Sequence, residues 1–460
     1  MADQSTAPLE GVPFQVENPE LIPTERYFDQ HFFELERERL WPRVWQMACR
    51  LEEIPDVGDY VEYTILDKSV IVVRGKNGVN AFLNACRHRG VRLANGPGNC
   101  AQKGFICPFH GWRYDMEGEN TFVFGKHIFS EEMLDQAEIS LKPVRIEFWA
   151  GCAFINLDGK APPLRECLGP VAERLDVRNA DKLKMDWWYA TVLPTNWKLA
   201  MEAFQEGYHV MRTHPQLEKL MPVGFSAYGD DIDDTGPKPA VTSRDVVNLS
   251  VDFMKSVSEG MGGMVHETEV AVIEKLRDME VPEDPGAAVM AFYARAQEEI
   301  TRDGLARGAP MFDIAQASRE NPISEVEFVF PHFFFLPTFA AMSSYRIRPL
   351  TAETCLFEIW SLVLRPEDEA YETPSQPTML AYDSKDFPEI PQQDYSNLPI
   401  QQLGLHNFEH MRLSHTHEGM ISNYHRLIDG YIAGRDEDTL GKGQQVVNSG
   451  FNAAILDIGF

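Results

Sequence analysis

Positive charge is scarce in this chain: 42 lysines and arginines stand against 70 aspartates and glutamates, for a formal net charge of −28. Such a surface repels polyanions, which excludes nucleic acid and anionic membrane as ligands of the surface as a whole. Cysteine is scarce too. Seven is an odd number, and Cys49, Cys100, Cys152, Cys167 and Cys355 show no disulfide-like spacing, so a reducing compartment and a cytoplasmic location are expected. Long apolar runs are missing. The most apolar stretch, residues 328–342, is interrupted by Pro331, His332 and Pro337 and is too short to span a bilayer. Residues 1–19 are polar, with no basic start followed by an apolar run, so no signal peptide is visible. Internal repeats and low-complexity tracts are absent. The remainder is ordinary for a packed globular chain, 44% hydrophobic and 24% charged over 460 residues, long enough to bury two cores.

Against that background one constellation stands out: Cys86-x-His88 followed by Cys107-x-x-His110. Two thiolates can hold one ferric ion as soft anionic donors while two neutral imidazoles hold a second, which is the donor set of a Rieske-type [2Fe-2S] cluster. The same four residue types also suit tetrahedral zinc. Zinc fingers, however, usually group both cysteines in one half of the motif and both histidines in the other, whereas each half here carries one of each. Gly90, Gly96, Gly98, Gly104 and Gly111, with Pro97 and Pro108, provide tight turns for two loops closing over one group. No Asp or Glu occurs in residues 86–114, yet Arg87, Arg89, Arg92, Lys103 and Arg113 do. A basic collar in so acidic a chain suits an acidic electron donor.

The hydrophobic pattern places this motif in a β-rich unit. Residues 28–46 repeat apolar positions at helical spacing and predict an amphipathic entry helix. Short β-branched or aromatic runs follow at 60–65, 69–74, 79–84, 105–107, 112–115 and 152–156, and a polar Gly-Pro stretch at 158–163 marks a boundary. Beyond it the pattern becomes α+β: a strand at 187–193, a helix at 196–213, strands at 325–331, 333–339, 343–349 and 355–365, and a helix pair over about 398–434. Residues 229–321, with a helical piece at 287–305, read as an insertion covering a pocket. The expected divisions are 1–44 (helical segment), 45–160 (β domain) and 161–460 (α+β domain).

Within residues 196–213 stand Glu202, Glu206 and His209, at i, i+4 and i+7 on one helical stripe, followed by His214 near the helix end. Two histidines and a carboxylate can hold Fe(II) and leave three coordination positions open, although on spacing alone core histidines would explain the pattern as well. The tail also holds His406, His410, His415, His417 and His425, enough to form a rival metal site or to line access to the first.

Taken together, Cys86-x-His88, Cys107-x-x-His110, Asn196-Trp197-Lys198, Glu202, Glu206, Tyr208-His209 and His214 resemble the catalytic α subunit of the Rieske non-haem iron ring-hydroxylating oxygenases, over nearly the whole chain. The resemblance implies an all-β Rieske domain plus a helix-grip (START-like) catalytic domain with an antiparallel sheet. It implies a [2Fe-2S] cluster on Cys86, His88, Cys107 and His110, and a mononuclear Fe(II) on His209, His214 and a later aspartate. Asp394, in the run Gln392-Gln393-Asp394, is similar to where the family places that ligand, with Asp383 and Asp386 as fallbacks. Where the family has Asp in the helix motif this chain has Glu206, which by resemblance would link His209 to the partner subunit's His110. Glutamate keeps the charge and the acceptors and adds one methylene.

The family implies a homotrimer closed head to tail, with or without a small β subunit, and electrons from NADH through a reductase and possibly a ferredoxin. A substrate that is hydrophobic, and aromatic or polycyclic, would be hydroxylated with O2. Family members acting on trimethylammonium compounds such as carnitine also carry Glu at the position of Glu206, which keeps an N-demethylating or monooxygenating reading open. A third alternative is a non-catalytic electron-transfer or ligand-binding protein without the mononuclear iron. Candidate pocket residues are Phe204, Val210, Met211, Phe253, Met254, Met261, Met264, Phe292, Phe330, Phe333 and Phe335. Trp187, Trp188, Tyr208 and Tyr345 are available for a cage around a quaternary amine.

Overall fold

Alternation of buried and half-buried side chains organises the N-terminal half of the computed structural model, which describes residues 9–221, 241–451 and 453–459. In strand Asp59–Ile65 the residues Val61, Tyr63 and Ile65 point inward while Tyr60, Glu62 and Thr64 are half-buried, the period of two expected of a strand with one covered face. Its neighbour Lys68–Arg74 buries Val70, Ile71, Val72 and Val73 consecutively because it lies inside a four-stranded sheet with Val79–Leu83 and Gly98–Asn99. A second sheet joins Arg145–Trp149, Cys152–Asn156 and Gln46–Arg50, and a third joins Phe105–Ile106, Arg113–Tyr114 and Asn120–Phe122. The small apolar cluster around Phe82, Phe105, Trp112 and Tyr114 contains both cysteines of the motif, apart from the main core.

The C-terminal half is built on a six-stranded sheet in the spatial order Glu327–Val329, Phe333–Pro337, Met342–Thr351, Thr354–Val363, Lys184–Leu193, Thr378–Met379. It is antiparallel except at the last strand, whose Thr378 and Met379 run parallel to Tyr189 and Ala190. Both faces of Phe333–Pro337 are covered. Phe333 and Phe335 meet Phe154 and Trp149 of the N-terminal unit, with ring centroids 6.0 and 5.9 Å apart, while Phe334 on the opposite face stacks on Tyr345 at 4.6 Å. Across the same junction Arg346 grips Glu358 through two hydrogen bonds of 2.7 Å and donates to the Met47 and Ala48 carbonyls of the second sheet.

Three helices differ from the pattern read in the sequence, each for a local reason. The entry helix is confined to Gln30–Leu35 and a π-helical turn at Glu36–Leu40, because Pro42 removes an N–H and turns the chain toward strand Gln46–Arg50. The helix expected at 196–213 is only Trp197–Glu202, capped by the Asn196 side chain. The chain then passes through turns at Gly207, resumes as Val210–Thr213, and is stopped beyond His214 by Pro215, which opens the short helix Pro215–Glu218. Glycine inside a helix costs about 1 kcal/mol, and two punctuators in so short a span outweigh the apolar periodicity. The helix expected from 398 starts at Glu389 and runs to Leu405 with Pro399 inside it. Pro391 falls in its first turn, where no intrahelical N–H is required. A short strand, His410–Arg412, separates it from helix Gly419–Ile432.

Two longer helices, Ser243–Met261 and Pro285–Ala306, pack on each other beside the sheet. The first is closed at its start by a Thr242–Asp245 capping box and at its end by Gly262 at φ 68°, and the second is capped by Asp284. Of the expected insertion, residues 229–240 lie outside the described residues. No helix among the described residues is long and apolar enough to cross a membrane.

Candidate functional site

The two halves of the Cys/His motif fold as matching loops. The N–H of Cys86 donates to the Val91 carbonyl and that of Gly90 back to Cys86; in the second loop Cys107 donates to Trp112 and Gly111 back to Cys107, all at 2.8–3.0 Å. Gly90 and Gly111 sit at φ 76° and 71°, the left-handed conformation such a closed loop needs. The pairing sorts the four donors by type. The thiols of Cys86 and Cys107 are buried side by side, and burial, the largest influence, pushes the Cys86 thiol up despite the opposing effect of the Tyr114 hydroxyl. That hydroxyl lies 3.3 Å from the Cys86 sulfur and accepts from the Arg87 N–H at 2.9 Å.

The imidazoles of His88 and His110 are half-buried, with Nδ1 atoms 3.2 Å apart. His88 stacks on Trp112 at 5.1 Å and 9°, and its pKa is lowered by burial, by His110 and by Arg89, which keeps it a neutral donor. A single tetrahedral ion would draw all donors within about 4 Å of one another. Among the described residues only His209, His214 and Asp394 gather as tightly as 4.8 Å. Separate thiol and imidazole pairs fit a two-iron cluster better than zinc.

The second group is assembled from three elements. His209 precedes the Val210–Thr213 turn, His214 ends it, and Asp394 comes from the second turn of helix Glu389–Leu405. Asp394 Oδ1 lies 3.8 Å from His209 Nε2 and 3.4 Å from His214 Nε2. Each imidazole is anchored through its other nitrogen. Glu206 takes the His209 Nδ1–H at 2.6 Å on one oxygen and the His209 backbone N–H at 3.0 Å on the other. Gln393 Oε1 takes the His214 Nδ1–H at 2.6 Å, and its amide is locked to Gln216 by two reciprocal 3.0 Å hydrogen bonds. Carboxylate and amide oxygens are acceptors only, so the protons reside on Nδ1 and both Nε2 lone pairs are free to bind an ion. Burial works against the His209 charge, but Glu206 and Asp394 together raise its pKa. Neutral imidazoles with fixed tautomers and one buried carboxylate fit a divalent iron with open positions.

Glu202 does not share the stripe. Once the helix breaks, it points into a buried network, where its Oε1 accepts from Tyr27 at 2.9 Å and from His425 Nε2 at 2.7 Å. Arg26 donates to His425 Nδ1 at 3.0 Å and pairs with Asp429. Burial pushes the Glu202 carboxyl up to about 8. The other tail histidines stay apart: His406 meets Glu353, His415 meets Glu20, and none joins a metal-binding group among the described residues. Asp383 and Asp386 are exposed and outside the group.

A cavity of about 430 Å³ opens on His209, His214 and Asp394. Phe204, Val210, Met211, Phe253, Met254, Met261 and Met264 line it as expected; Phe292, Phe330, Phe333 and Phe335 do not. Phe333 and Phe335 have the wrong parity, facing the N-terminal unit, whereas Leu336 on the other face reaches the cavity. Trp187, Trp188, Tyr208 and Tyr345 also lie outside its lining, and Trp188 is stacked on Trp360 at 5.2 Å. Sequence reasoning missed Gln216 and Gln393 as anchors, and it missed Tyr293 and Glu325 in the lining. Position next to Asp394 was the one clue to Gln393. A second cavity of about 410 Å³, with Glu202 and Glu418 in its wall, shares Glu206, His209 and Asp394. A larger recess, about 800 Å³ between Tyr60 and Tyr371, touches neither donor set.

Comparison with known proteins agrees with this geometry. Residues 173–434 match the model of the ring hydroxylating alpha subunit (catalytic domain), and residues 44–123 match that of the Rieske [2Fe-2S] domain. The chain is 35% identical over 200 residues to the 2-aminobenzenesulfonate 2,3-dioxygenase subunit alpha of an Alcaligenes species, covering 43% of this chain and 50% of the relative. It is 33% identical over 197 residues to the carnitine monooxygenase oxygenase subunit of Escherichia coli, covering 42% and 52%. The chain thus spans about half the length of the curated relatives it matches. A naphthalene 1,2-dioxygenase structure with indole bound shares the fold, with a TM-score of 0.62 at 20% identity over 93% of this chain and 94% of that one. The chain belongs to the Rieske non-haem iron ring-hydroxylating oxygenase alpha subunits, with a Rieske domain followed by the catalytic domain.

Proposed function

We propose that this chain is the terminal oxygenase component of a multicomponent system, using reducing equivalents from NADH, delivered by a reductase or ferredoxin, to hydroxylate a hydrophobic, aromatic substrate with O2. One observation carries the reading: the Nε2 atoms of His209 and His214 and one carboxylate oxygen of Asp394 converge on the wall of an apolar cavity. Cys86 and Cys107 would hold one iron of the cluster and His88 and His110 the other, while His209, His214 and Asp394 would hold the mononuclear iron. When bound, these groups supply one-electron transfer and O2 activation.

The chain's own side chains prepare that chemistry. Glu206 and Gln393 retain the Nδ1 protons and prevent the imidazoles from rotating. Phe204, Phe253, Met254, Met261 and Leu336 exclude water and leave a space within the range of about 300–1,000 Å³ usual for small-molecule sites. Sulfonate and carboxylate groups, as in aminobenzenesulfonate or the carnitine zwitterion, would need a cation, and the described lining contains no Lys or Arg. A neutral aromatic body is the better match. Glu206, bonded to His209 on the edge shared by both cavities, is the candidate link to the partner subunit's His110 in a trimeric ring.

Iron analysis with one variant tests this reading. The loaded protein is expected to hold about three Fe per chain, two in the cluster and one outside it. His209→Ala should lose the third iron and all substrate-dependent O2 uptake while the visible spectrum of the cluster persists. Two Fe per chain in the parent protein, or unchanged turnover in the variant, would instead support an electron carrier.

A further inference from the structure

The three-donor group is flanked by two cavities of different character. The one of about 410 Å³ shares Glu206, His209 and Asp394 with the apolar one and adds polar groups at Glu202, Glu418 and Gln401, enough partners for ordered water. Glu202 is the acid in that wall with no part in holding the histidines. Its side chain, at the end of helix Trp197–Glu202, is 6% exposed. One oxygen is fully engaged: Oε1 takes the Tyr27 hydroxyl at 2.9 Å and His425 Nε2 at 2.7 Å. The other, Oε2, bonds to no described residue and faces the cavity.

One donor fixes the direction of every hydrogen bond in this cluster. The Arg26 Nε–H only donates, so His425 Nδ1 accepts from it at 3.0 Å and the His425 proton resides on Nε2. Burial, Arg26 and Lys198 hold that imidazole neutral, well below its ordinary range. Nε2–H and the Tyr27 hydroxyl therefore both donate to Glu202 Oε1. With its two lone pairs taken, Oε1 is the carbonyl oxygen of the protonated acid, and the acid proton is carried by Oε2, on the cavity side. The charged and titratable groups facing Glu202 are Lys198 on its own helix, Arg26 and Tyr27 from the N-terminal segment, Tyr424 and His425 from helix Gly419–Ile432, and Glu418 just before that helix. Burial outweighs the lowering by Tyr27, Lys198 and Arg26, and Glu418 adds to it, so the carboxyl stands at about 8 and is protonated at neutral pH.

We propose that Glu202 supplies a proton, from Oε2 through water in the 410 Å³ cavity, to the oxygen reduced at the His209, His214 and Asp394 site. Hydroxylation consumes it: RH, O2, two electrons and two protons give ROH and water, the electrons arriving from NADH through the reductase. O2 reduced without hydroxylation takes the same two electrons and two protons to H2O2. In both cases Glu202 is left as a carboxylate held by Tyr27, His425 and the charge of Lys198, and it regains its proton from solvent through the cavity. Tyr27 and His425 are positioning residues, since by occupying Oε1 they leave Oε2 to carry the proton. This inference rests on the reading of the three-donor group as the oxygen-activating site and adds the source of a proton to it.

Infrared difference spectroscopy of the metal-loaded protein between about pH 6 and pH 10 reads the proton without turnover. The parent is expected to lose a protonated-carboxyl C=O band with a midpoint at about pH 8 that Glu202→Gln lacks, a comparison that sets aside other raised acids such as Glu53, at about 7. Tyr27→Phe takes one donor from Oε1 and should move that band to higher frequency. No such band, or one that Tyr27→Phe leaves in place, overturns the assignment. Function is read from O2 consumption by the dithionite-reduced protein in a single turnover with indole as the aromatic probe, since hydroxylation and H2O2 release draw equally on protons. Glu202→Gln, with its iron retained, should be about 100-fold slower at neutral pH, and the parent's loss of rate above about pH 8 should disappear. A variant as fast as the parent, or one that keeps the alkaline loss, overturns the assignment and leaves the oxygenase reading standing. If the reduced parent consumes no O2, the oxygenase reading fails and the assignment falls with it.

Discussion

Replacing Gln393 by leucine isolates what an anchoring side chain contributes to a metal site. Gln393 touches no ion itself, yet its Oε1 is the 2.6 Å acceptor of the His214 Nδ1–H, and its amide is fixed in turn by Gln216. Leucine keeps most of the volume and removes the acceptor. His214 is 2% exposed, so its Nδ1–H would find no water, and an unsatisfied buried donor costs about 1–3 kcal/mol. The imidazole can relieve that cost in two ways, by rotating or by moving its proton to Nε2, and either withdraws the lone pair aimed at Asp394.

Loss of such an anchor typically weakens metal binding about 10–100-fold, or about 1.4–2.7 kcal/mol, which matches the cost of the orphaned donor. Titrating the iron-depleted mononuclear site with Fe(II) or Co(II) under anaerobic conditions, against a competing chelator, measures the ratio directly. The cluster's visible spectrum serves as an internal control because its loops contact neither glutamine. An affinity within twofold of the parent protein would show that His214 is held by packing alone, and the tautomer argument would be wrong.

Glu202→Gln should flatten the pH dependence of stability. The folded carboxyl is raised by burial to about 8, above its ordinary value, so the folded state binds more protons and stability falls as pH rises from about 4.5 through 8. Glutamine still accepts from Tyr27 and His425 but cannot ionise, and its advantage in thermal unfolding should grow from below about 1 kcal/mol at pH 5 to about 4–5 kcal/mol at pH 9, an order-of-magnitude figure; a constant difference across that range would refute the shift. Glu358→Gln leaves Arg346 charged and 3% exposed beneath the junction of the two halves. It should cost about 3–5 kcal/mol in denaturant unfolding, and a loss below 1 kcal/mol would show that the Met47 and Ala48 carbonyls suffice for the guanidinium.

Local chemistry was the part of this molecule most legible in its sequence. The strands at 60–65, 69–74, 79–84 and 152–156 appear within a residue or so of their expected bounds, because period-two burial and glycine-rich turns are short-range patterns. The Cys/His loops were equally visible, since four donors lie within one stretch of chain. The helix at 196–213 was not, because apolar periodicity continues through Gly207 to Pro215 and hides the break that sends Glu202 and Glu206 in different directions. Asp394 was chosen from resemblance and placed before a helix expected from about 398, whereas the helix starts at Glu389, with Pro391 in its first turn and Pro399 tolerated within.

Charge balance explains why the three-donor group calls for a bound cation. Glu206 is hydrogen-bonded to His209 Nδ1 at 2.6 Å and Asp394 lies 3.8 Å from its Nε2, in a wall that offers no Lys or Arg among its described residues. Two anions held in such a place are costly to desolvate unless a positive charge is fixed between them. A divalent ion on His209, His214 and Asp394 supplies two charges, which Asp394 and Glu206 together neutralise, so the loaded centre has no net demand for a charged ligand.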